Sequence, residues 1–382
     1  MARRKLLFIL ESRATYGYSK NVIQAARAFP ALEIQTVVTG THLLADLGNS
    51  IELIRADGIP ISAEVPMAPA DTRKGAWSRA MGQSISGFAD AFEALNPDIV
   101  VLSGDRAESF GACVAASYMS VALAHIQAGD KSGHIDDAAR MAIGKLAHIH
   151  LASCEDSAER LRRMGEQEWR IHNVGAPQLD NIAGRDYAAR SIGIAGRTHD
   201  LSAPYVLLVM HPVLVEREDA ARQMGAAIAA SLGSGLPVFC IYPNSDLGYQ
   251  GIVGVIEETD RSRFTALRNV EREEYLTLLA NAAVLVGNSS SGILEAPSFK
   301  VPVVNIGERQ RGRPQASNIL NCGYAESEIS ATIRQALGDP AFRAASAAAV
   351  NPYGDGRSGE RICRILEGVA IDRALLDKQT VY

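Results

Sequence analysis

Cysteine is scarce in this sequence, with five among 382 residues, at positions 113, 154, 240, 322 and 363, and no CxxC spacing. An odd count leaves at least one thiol unpaired, which speaks for a reducing cytoplasm and against a structural zinc site. Charge of one sign is not in excess either. The formal net charge is −5, with 38 Lys and Arg interspersed among 43 Asp and Glu, so there is no basic stripe to track a nucleic-acid backbone. Long hydrophobic runs are also missing. The start, Met-Ala-Arg-Arg-Lys then Leu-Leu-Phe-Ile-Leu, has the look of a signal segment, but its apolar run is short and meets Glu11 and Arg13. It reads as a buried first strand, and nothing in the chain is long enough to span a membrane. No repeat or low-complexity segment is present; Ala341 to Val350 is only an alanine-rich helical stretch.

What the chain does have is length and alternation. At 382 residues with 47% apolar content it exceeds one ordinary core, and two domains are expected. Short apolar runs at 5–10, 33–39, 98–103, 121–126, 149–153 and 170–174 read as strands separated by helical patterns. After Gly175-Ala176-Pro177 the pattern restarts with strands near 205–210, 237–242, 263–267, 283–287 and 302–306. The fold class is therefore α/β, two Rossmann-like doubly wound domains in tandem, which place ligand sites beyond the strand carboxyl ends in a cleft between them. The expected division is 1–176, 177–356 and a terminal helix within 357–382 that could pack on either domain, the first included; 183–203 reads as surface helix and loop.

Polar motifs do cluster just after strands. Ala283 to Gly287 leads into Asn288-Ser289-Ser290-Ser291-Gly292 and a helix start, a seat for a phosphate made of backbone N–H groups, hydroxyls and a helix macrodipole. Arg309, Arg311 and Arg313 follow the next strand and can add charge-assisted contacts to the same anion. Glu11-Ser12-Arg13 through Lys20 follows the first strand and suits a nucleotide phosphate, or is only an N-cap with a solvated arginine. Asp105, after Ser103-Gly104, is placed as an acid or base, or as a helix cap; the residues alone leave these even. His125-Ile126-Gln127 to Asp136-Asp137 and Arg140 gathers ionisable groups, with Asp136 and Arg140 spaced i, i+4 on one helical face so that the arginine can orient the carboxylate. His148 and His150 read as structural. His211, at a strand end, can donate to a diphosphate, and Tyr242-Pro243-Asn244-Ser245-Asp246 can bind hydroxyls or phosphate or be a plain turn.

In order and spacing these segments resemble the hydrolysing UDP-N-acetylglucosamine 2-epimerases of sialic-acid biosynthesis, and more distantly the non-hydrolysing UDP-GlcNAc 2-epimerases. The matching segments are Arg13-Ala14-Thr15-Tyr16-Gly17, Gly40-Thr41-His42-Leu43 with Gly48-Asn49, Gly104-Asp105-Arg106, and Ile135-Asp136-Asp137 with Arg140. In the second half they are His211-Pro212-Val213, Pro243-Asn244-Ser245-Asp246, Gly287-Asn288-Ser289-Ser290 and Gly307-Glu308-Arg309-Gln310. The resemblance implies a GT-B fold, no metal or other cofactor, a UDP-sugar substrate, and a homodimer or homotetramer. It assigns UDP contacts to Arg13, Ser289, Ser290, Glu295 and Arg309 with His211 near the diphosphate, and puts Asp105 and Asp136 among the catalytic carboxylates; Lys20 and Asn244 are further candidates for UDP, and Asp130, Arg140, Gln127 and His211 for the catalytic group.

The implied reaction is abstraction of the C2 proton with loss of UDP to give a 2-acetamidoglucal, then hydration with inverted C2 stereochemistry. Asp105 is the expected base for the first half, Asp136 the acid or base for the second, and the serine turn with Arg309 the support for the departing UDP. Two positions depart from the family pattern: Gln127 stands where some relatives carry a catalytic Glu, and Thr15 where Asp is usual. An altered sugar pocket suits UDP-2,4-diacetamido-2,4,6-trideoxy-glucose as well as UDP-GlcNAc. The competing expectations are a non-hydrolysing epimerase and a UDP-sugar-binding homologue that has lost catalysis.

Overall fold

The computed structural model describes residues 3–44, 50–69, 71, 73–131, 136–244, 246–268 and 270–381; the side chains of Ala14 and Asp136 lie outside that description. Of the motifs above, Gly48-Asn49, His134-Ile135 and Ser245 fall outside the described residues. The chain forms two compact units, Met1–Ala183 together with Tyr353–Tyr382, and Gly184–Pro352.

In the first unit the order is β1 (Arg4–Leu10), α1 (Arg13–Ala26), β2 (Leu32–Thr39), α2 (Ile51–Ala56), β3 (Ala63–Val65), α3 (Ala76–Leu95) and β4 (Ile99–Ser103). It continues with α4 (Ala107–Tyr118), β5 (Ala122–Ile126), α5 (Asp136–Leu146), β6 (Ile149–Ala152), α6 (Glu155–Arg163) and β7 (Ile171–Asn173). The seven strands are parallel in the order β3-β2-β1-β4-β5-β6-β7. Helices cover both faces of this sheet, so its central strands are apolar on both sides. Leu6, Phe8 and Leu10 of β1 enter one core with Val22 and Ile23 of α1, while Leu7 and Ile9 enter the other with Phe88, Phe92 and Ala112.

The second unit opens with a hairpin, β8 (Ser191–Ile194) and β9 (Arg197–Asp200), where the sequence suggested surface helix and loop. Ala195 and Gly196 at its tip both have positive φ, 48° and 75°, the backbone of a tight two-residue connection. There follow β10 (Val206–Val209), α7 (Ala220–Gly233), β11 (Val238–Ile241), α8 (Tyr249–Glu258), β12 (Phe264–Leu267), α9 (Arg272–Asn281) and β13 (Val284–Gly287). The unit ends with α10 (Ser291–Leu294), α11 (Ala296–Phe299), β14 (Val303–Ile306), β15 (Ile319–Cys322), α12 (Glu326–Gly338) and α13 (Pro340–Ala347). Its six parallel strands run β12-β11-β10-β13-β14-β15.

After Pro352 the chain returns to the first unit as α14 (Ser358–Gly368) and α15 (Arg373–Leu376). Ile362, Cys363 and Leu366 of α14 join the core around α1, and Arg4 Nη1 donates to the carbonyls of Leu366 and Glu367 at 2.6 and 2.7 Å, closing the end of that helix. Both sheets are thus Rossmann-like and doubly wound in the GT-B manner. In each, the strand order reverses at one place: between β1 and β4 in the first unit, between β10 and β13 in the second. Ligands of open α/β sheets bind beyond the carboxyl ends of strands at that reversal.

Candidate active site

The reversal in the second unit is built around Asn288. Gly287 ends β13 at φ 135°, and a Cβ there would lie 2.0 Å from the Val209 carbonyl oxygen, so only glycine lets β13 run this close to the end of β10. Asn288, fully buried, then bonds both ways to the backbone of His211: His211 N–H donates to its Oδ1 at 2.7 Å, and its Nδ2 donates to the His211 carbonyl at 2.8 Å. Its own carbonyl accepts from Arg309 Nη1 at 3.1 Å and Gln310 Nε2 at 2.9 Å. One buried residue, through its side-chain amide and its backbone carbonyl, therefore ties together the ends of β10, β13 and β14.

His211 is consequently fixed by its backbone. Its Nδ1 accepts the Asn244 N–H at 3.2 Å, which puts the proton of the neutral ring on Nε2. Burial, and then the charge of Arg309, push its pKa down to about 3, so at neutral pH His211 is an uncharged N–H donor. Ser289 and Ser290 are half-buried, and Ser291 Oγ donates to Ser289 Oγ at 3.0 Å while also meeting the Tyr275 hydroxyl. Arg272 Nη1 lies 2.5 Å from Glu295 Oε1. Hydroxyls, a neutral imidazole and a guanidinium in this arrangement can bind an anion.

Several expectations for this unit change. The helix after the serines is a single turn, Ser291–Leu294, separated by Glu295 from a second single turn, so its macrodipole is small and the hydroxyls and turn N–H groups carry the seat. Glu295 stands at that junction engaged by Arg272. Of the three arginines, Arg309 reaches the turn, whereas exposed Arg311 is 3.3 Å from Glu308. Tyr275, Arg272 and Gln310 were not singled out from sequence. The capping box of Glu271 and Glu274, which starts α9, was the available signal for the first two.

In the first unit Asp105 lies just beyond β4 and does not cap α4, whose N-cap is Arg106. Its Oδ2 accepts from Arg140 Nη2, in an ion pair whose side chains are 16% and 7% exposed. The other arm of Arg140, Nη1, donates to the Gln127 carbonyl at 3.0 Å. Arg140 thus crosses from its own helix to the ends of β4 and β5, a contact the i, i+4 spacing with Asp136 does not suggest. Gln127 is buried at φ 61°, a left-handed conformation that costs a non-glycine residue about 1 kcal/mol or more and that packing around it must hold. Asp136 begins α5, and its side chain lies outside the description. Asp130 accepts from the hydroxyls of Ser153 and Ser157, the latter at 2.7 Å, and so serves the turn before α6.

At the end of β1, Ser12 caps α1 by accepting the Thr15 N–H at 3.4 Å, and Arg13 is exposed. Lys20, expected on UDP, is paired with Asp57 at 2.7 Å. Sequence reading missed Glu11. It is wholly buried, accepts from Ser109 Oγ at 3.0 Å, and its carboxyl is pushed up to about 8 by burial and by the nearby Glu108. Gly40 makes room for this pair: a Cβ there would sit 2.4 Å from Glu108 Oε1. His42 is buried beside it with Nδ1 2.8 Å from Ser50 Oγ, and burial drives its pKa down to about 4.

Comparison with known proteins decides the family. The sequence profile of UDP-N-acetylglucosamine 2-epimerase matches residues 24–367. The chain belongs to the UDP-N-acetylglucosamine 2-epimerase family. A member from Legionella pneumophila, UDP-N,N'-diacetylbacillosamine 2-epimerase (hydrolyzing), is 35% identical over 380 residues, 99% of this chain and 100% of the relative. GDP/UDP-N,N'-diacetylbacillosamine 2-epimerase (hydrolyzing) of Campylobacter jejuni is 28% identical over 84% of this chain and 85% of its own length. The crystal structure of the Neisseria meningitidis UDP-GlcNAc 2-epimerase bound to UDP-GlcNAc superposes with a TM-score of 0.77 at 17% identity, over 95% of this chain and 99% of that one. That likeness shows the shared fold of this epimerase family.

Proposed function

We propose that the protein is a hydrolysing UDP-HexNAc 2-epimerase that converts UDP-N,N'-diacetylbacillosamine, a 2,4-diacetamido-2,4,6-trideoxy sugar nucleotide, to UDP and the free 2-epimer. The observation that carries this reading is the end-to-end match with the hydrolysing L. pneumophila enzyme. The geometry supplies the chemistry. Asp105, oriented by Arg140, takes the C2 proton, and UDP departs from C1 to leave the glycal. Charge developing on the diphosphate meets the Nε2–H of neutral His211, the hydroxyls of Ser289 and Ser290, and Arg309. Arg13 and Asn244 add polar contacts to UDP, and Glu295 grips ribose hydroxyls. Water then adds across the glycal with Asp136 as acid or base. Gln127, unable to accept a proton at neutral pH, holds the sugar through its amide. The working form is a homodimer or homotetramer, which light scattering of the purified protein checks.

The test is incubation with UDP-N,N'-diacetylbacillosamine, and separately with UDP-GlcNAc, in deuterated water. The expected result is UDP and a free 2-epimer carrying deuterium at C2, formed faster from the diacetamido substrate. Accumulation of an epimerised UDP-sugar without free sugar would establish the non-hydrolysing reaction instead, and UDP-induced thermal stabilisation without turnover would establish a binding homologue.

A further inference from the structure

We propose that the carboxyl-terminal segment, through Lys378, is a positioning element of the active site: it fixes α5 and thereby the grip of Arg140 on Asp105. An α-helix leaves its last carbonyls without partners. At the end of α5, Lys378 Nζ donates to the carbonyls of Gly144, Lys145 and Ala147 at 2.8, 2.9 and 2.8 Å, a cation where the helix dipole is negative. The same ammonium lies 2.5 Å from Glu166 Oε2, on a side chain only 1% exposed that is also 2.9 Å from His150 Nε2.

The segment bearing Lys378 is docked along its length. Arg170 donates to the carbonyls of Ala374 and Leu375 at 2.7 and 2.8 Å, and Val381 N–H donates to the Gly165 carbonyl at 2.8 Å. Gly165, at φ 80°, would place a Cβ 2.4 Å from the Val381 carbonyl oxygen, so the backbones meet there as closely as glycine permits. A terminal segment held this way is a structural part, unlike the frayed end of most domains. What it holds is the helix whose Arg140 reaches both Asp105 and the Gln127 carbonyl. Three carbonyls taken by one ammonium set the position of α5 along its axis, and an axial shift moves the guanidinium off the carboxylate. Displacement of a catalytic group by about 1 Å can cost roughly a hundredfold in rate.

The inference rests on the reading of Asp105 as the base, so turnover by the unaltered enzyme is measured first; its absence would defeat that reading, not this one. Lys378→Met keeps the length and apolar stem but removes the donor. The expected result is a kcat lower by about tenfold or more with KM changed less than about threefold, and partial recovery in Lys378→Arg. Asp180→Ala serves as the stability control, since Asp180 accepts the Ser358 and Gly359 N–H groups at 2.9 and 2.6 Å at the start of α14. It should lower the unfolding temperature and leave kcat of the folded enzyme unchanged. In combination with Arg140→Lys, Lys378→Met should add almost nothing to the loss in kcat. Unchanged kcat in Lys378→Met, an equal kcat loss in Asp180→Ala, or multiplicative effects in the double variant would each overturn the proposal.

Discussion

Asp105 owes its orientation to Arg140, which lies on another helix and has little exposure to water. A charge-assisted pair of this kind does two things for a base that must take a carbon-bound proton: it fixes which oxygen lone pair is presented, and it keeps the carboxylate from turning toward solvent. Asp105→Asn preserves the shape and removes the basic lone pair. It should lower kcat by about 10² to 10⁴ while the UDP dissociation constant, read by titration calorimetry, stays within about twofold. A large loss of UDP affinity would show that Asp105 serves binding instead. The local rule that suggests Asp136 as a partner of Arg140 considers only neighbours on one helix; the contact with Asp105 is brought in by the pairing of β4 with β5. Sequence reading singled out both Asp105 and Arg140 without pairing them, because the contact crosses from one element to another. The burial of Glu11 was not legible for a related reason: a charged residue directly after an apolar run looks like the end of burial, and only the packing of β1 against α4, with Gly40 beside it, encloses it.

At the scale of elements, the strands that were legible are those buried on both faces, such as Leu-Leu-Phe-Ile-Leu in β1, Ile-Val-Val-Leu in β4 and Val-Leu-Leu-Val in β10, all continuous apolar runs. The edge strands β3 and β15 were not legible. One has three residues, and the other carries Asn321 and Cys322 in four, too little pattern to rise above a loop. The β8–β9 hairpin, polar and largely exposed, announces itself only through Ala195-Gly196, a weaker turn signal than Asn-Gly. The turn after β13 reads from sequence as a phosphate seat; its organising residue in the structure is Asn288, whose amide carries acceptor and donor on separate atoms and so holds both the N–H and the carbonyl of His211. Asn288→Ala leaves the His211 backbone N–H and carbonyl without their partners, at about 1–3 kcal/mol for each buried group. It should weaken UDP binding by more than tenfold with Asp105 chemistry untouched. Gly287→Ala should be worse, since the Val209 carbonyl cannot retreat without breaking its bond from Asn288 N–H at 3.1 Å; loss of soluble expression or a fall in urea midpoint is the expected readout. Wild-type behaviour of either variant would remove Asn288 from its organising role.

For the molecule as a whole, the buried ionisable groups of the first unit set opposing limits on stability. His42, His125 and His148 have pKa values pushed down by burial to about 4, 3 and 4, so the fold keeps them neutral while the unfolded chain protonates them below about 6.5. Their contribution is complete above that pH and is lost as the pH falls, by about 1.4 kcal/mol per pH unit for each group. Glu11 works in the other direction. Its carboxyl, raised to about 8 by burial and by Glu108, stays protonated in the fold while the unfolded chain ionises above about 4.5. Its contribution is whole below that value and is lost as the pH climbs toward 8. Between 4.5 and 6.5 these histidines, joined by His150 and His172, which burial also lowers, outweigh the Glu11 carboxyl and stability rises with pH; above 6.5 their contribution is complete and constant, and Glu11 pulls stability down. A maximum near pH 6.5 follows. The two tryptophans of the sequence, Trp77 and Trp169, both belong to the first unit, so their fluorescence follows the unfolding of that unit in urea. Glu11→Gln retains the acceptor for Ser109 and abolishes the ionisation. Its urea midpoint should match that of the unaltered protein near pH 5, exceed it increasingly between pH 6.5 and 8, and show the same decline on the acid side. If the two midpoints instead fall together above pH 6.5, the alkaline limb does not belong to Glu11, and the Glu11–Glu108 pair is not the buried, proton-holding group that its packing against Gly40 indicates.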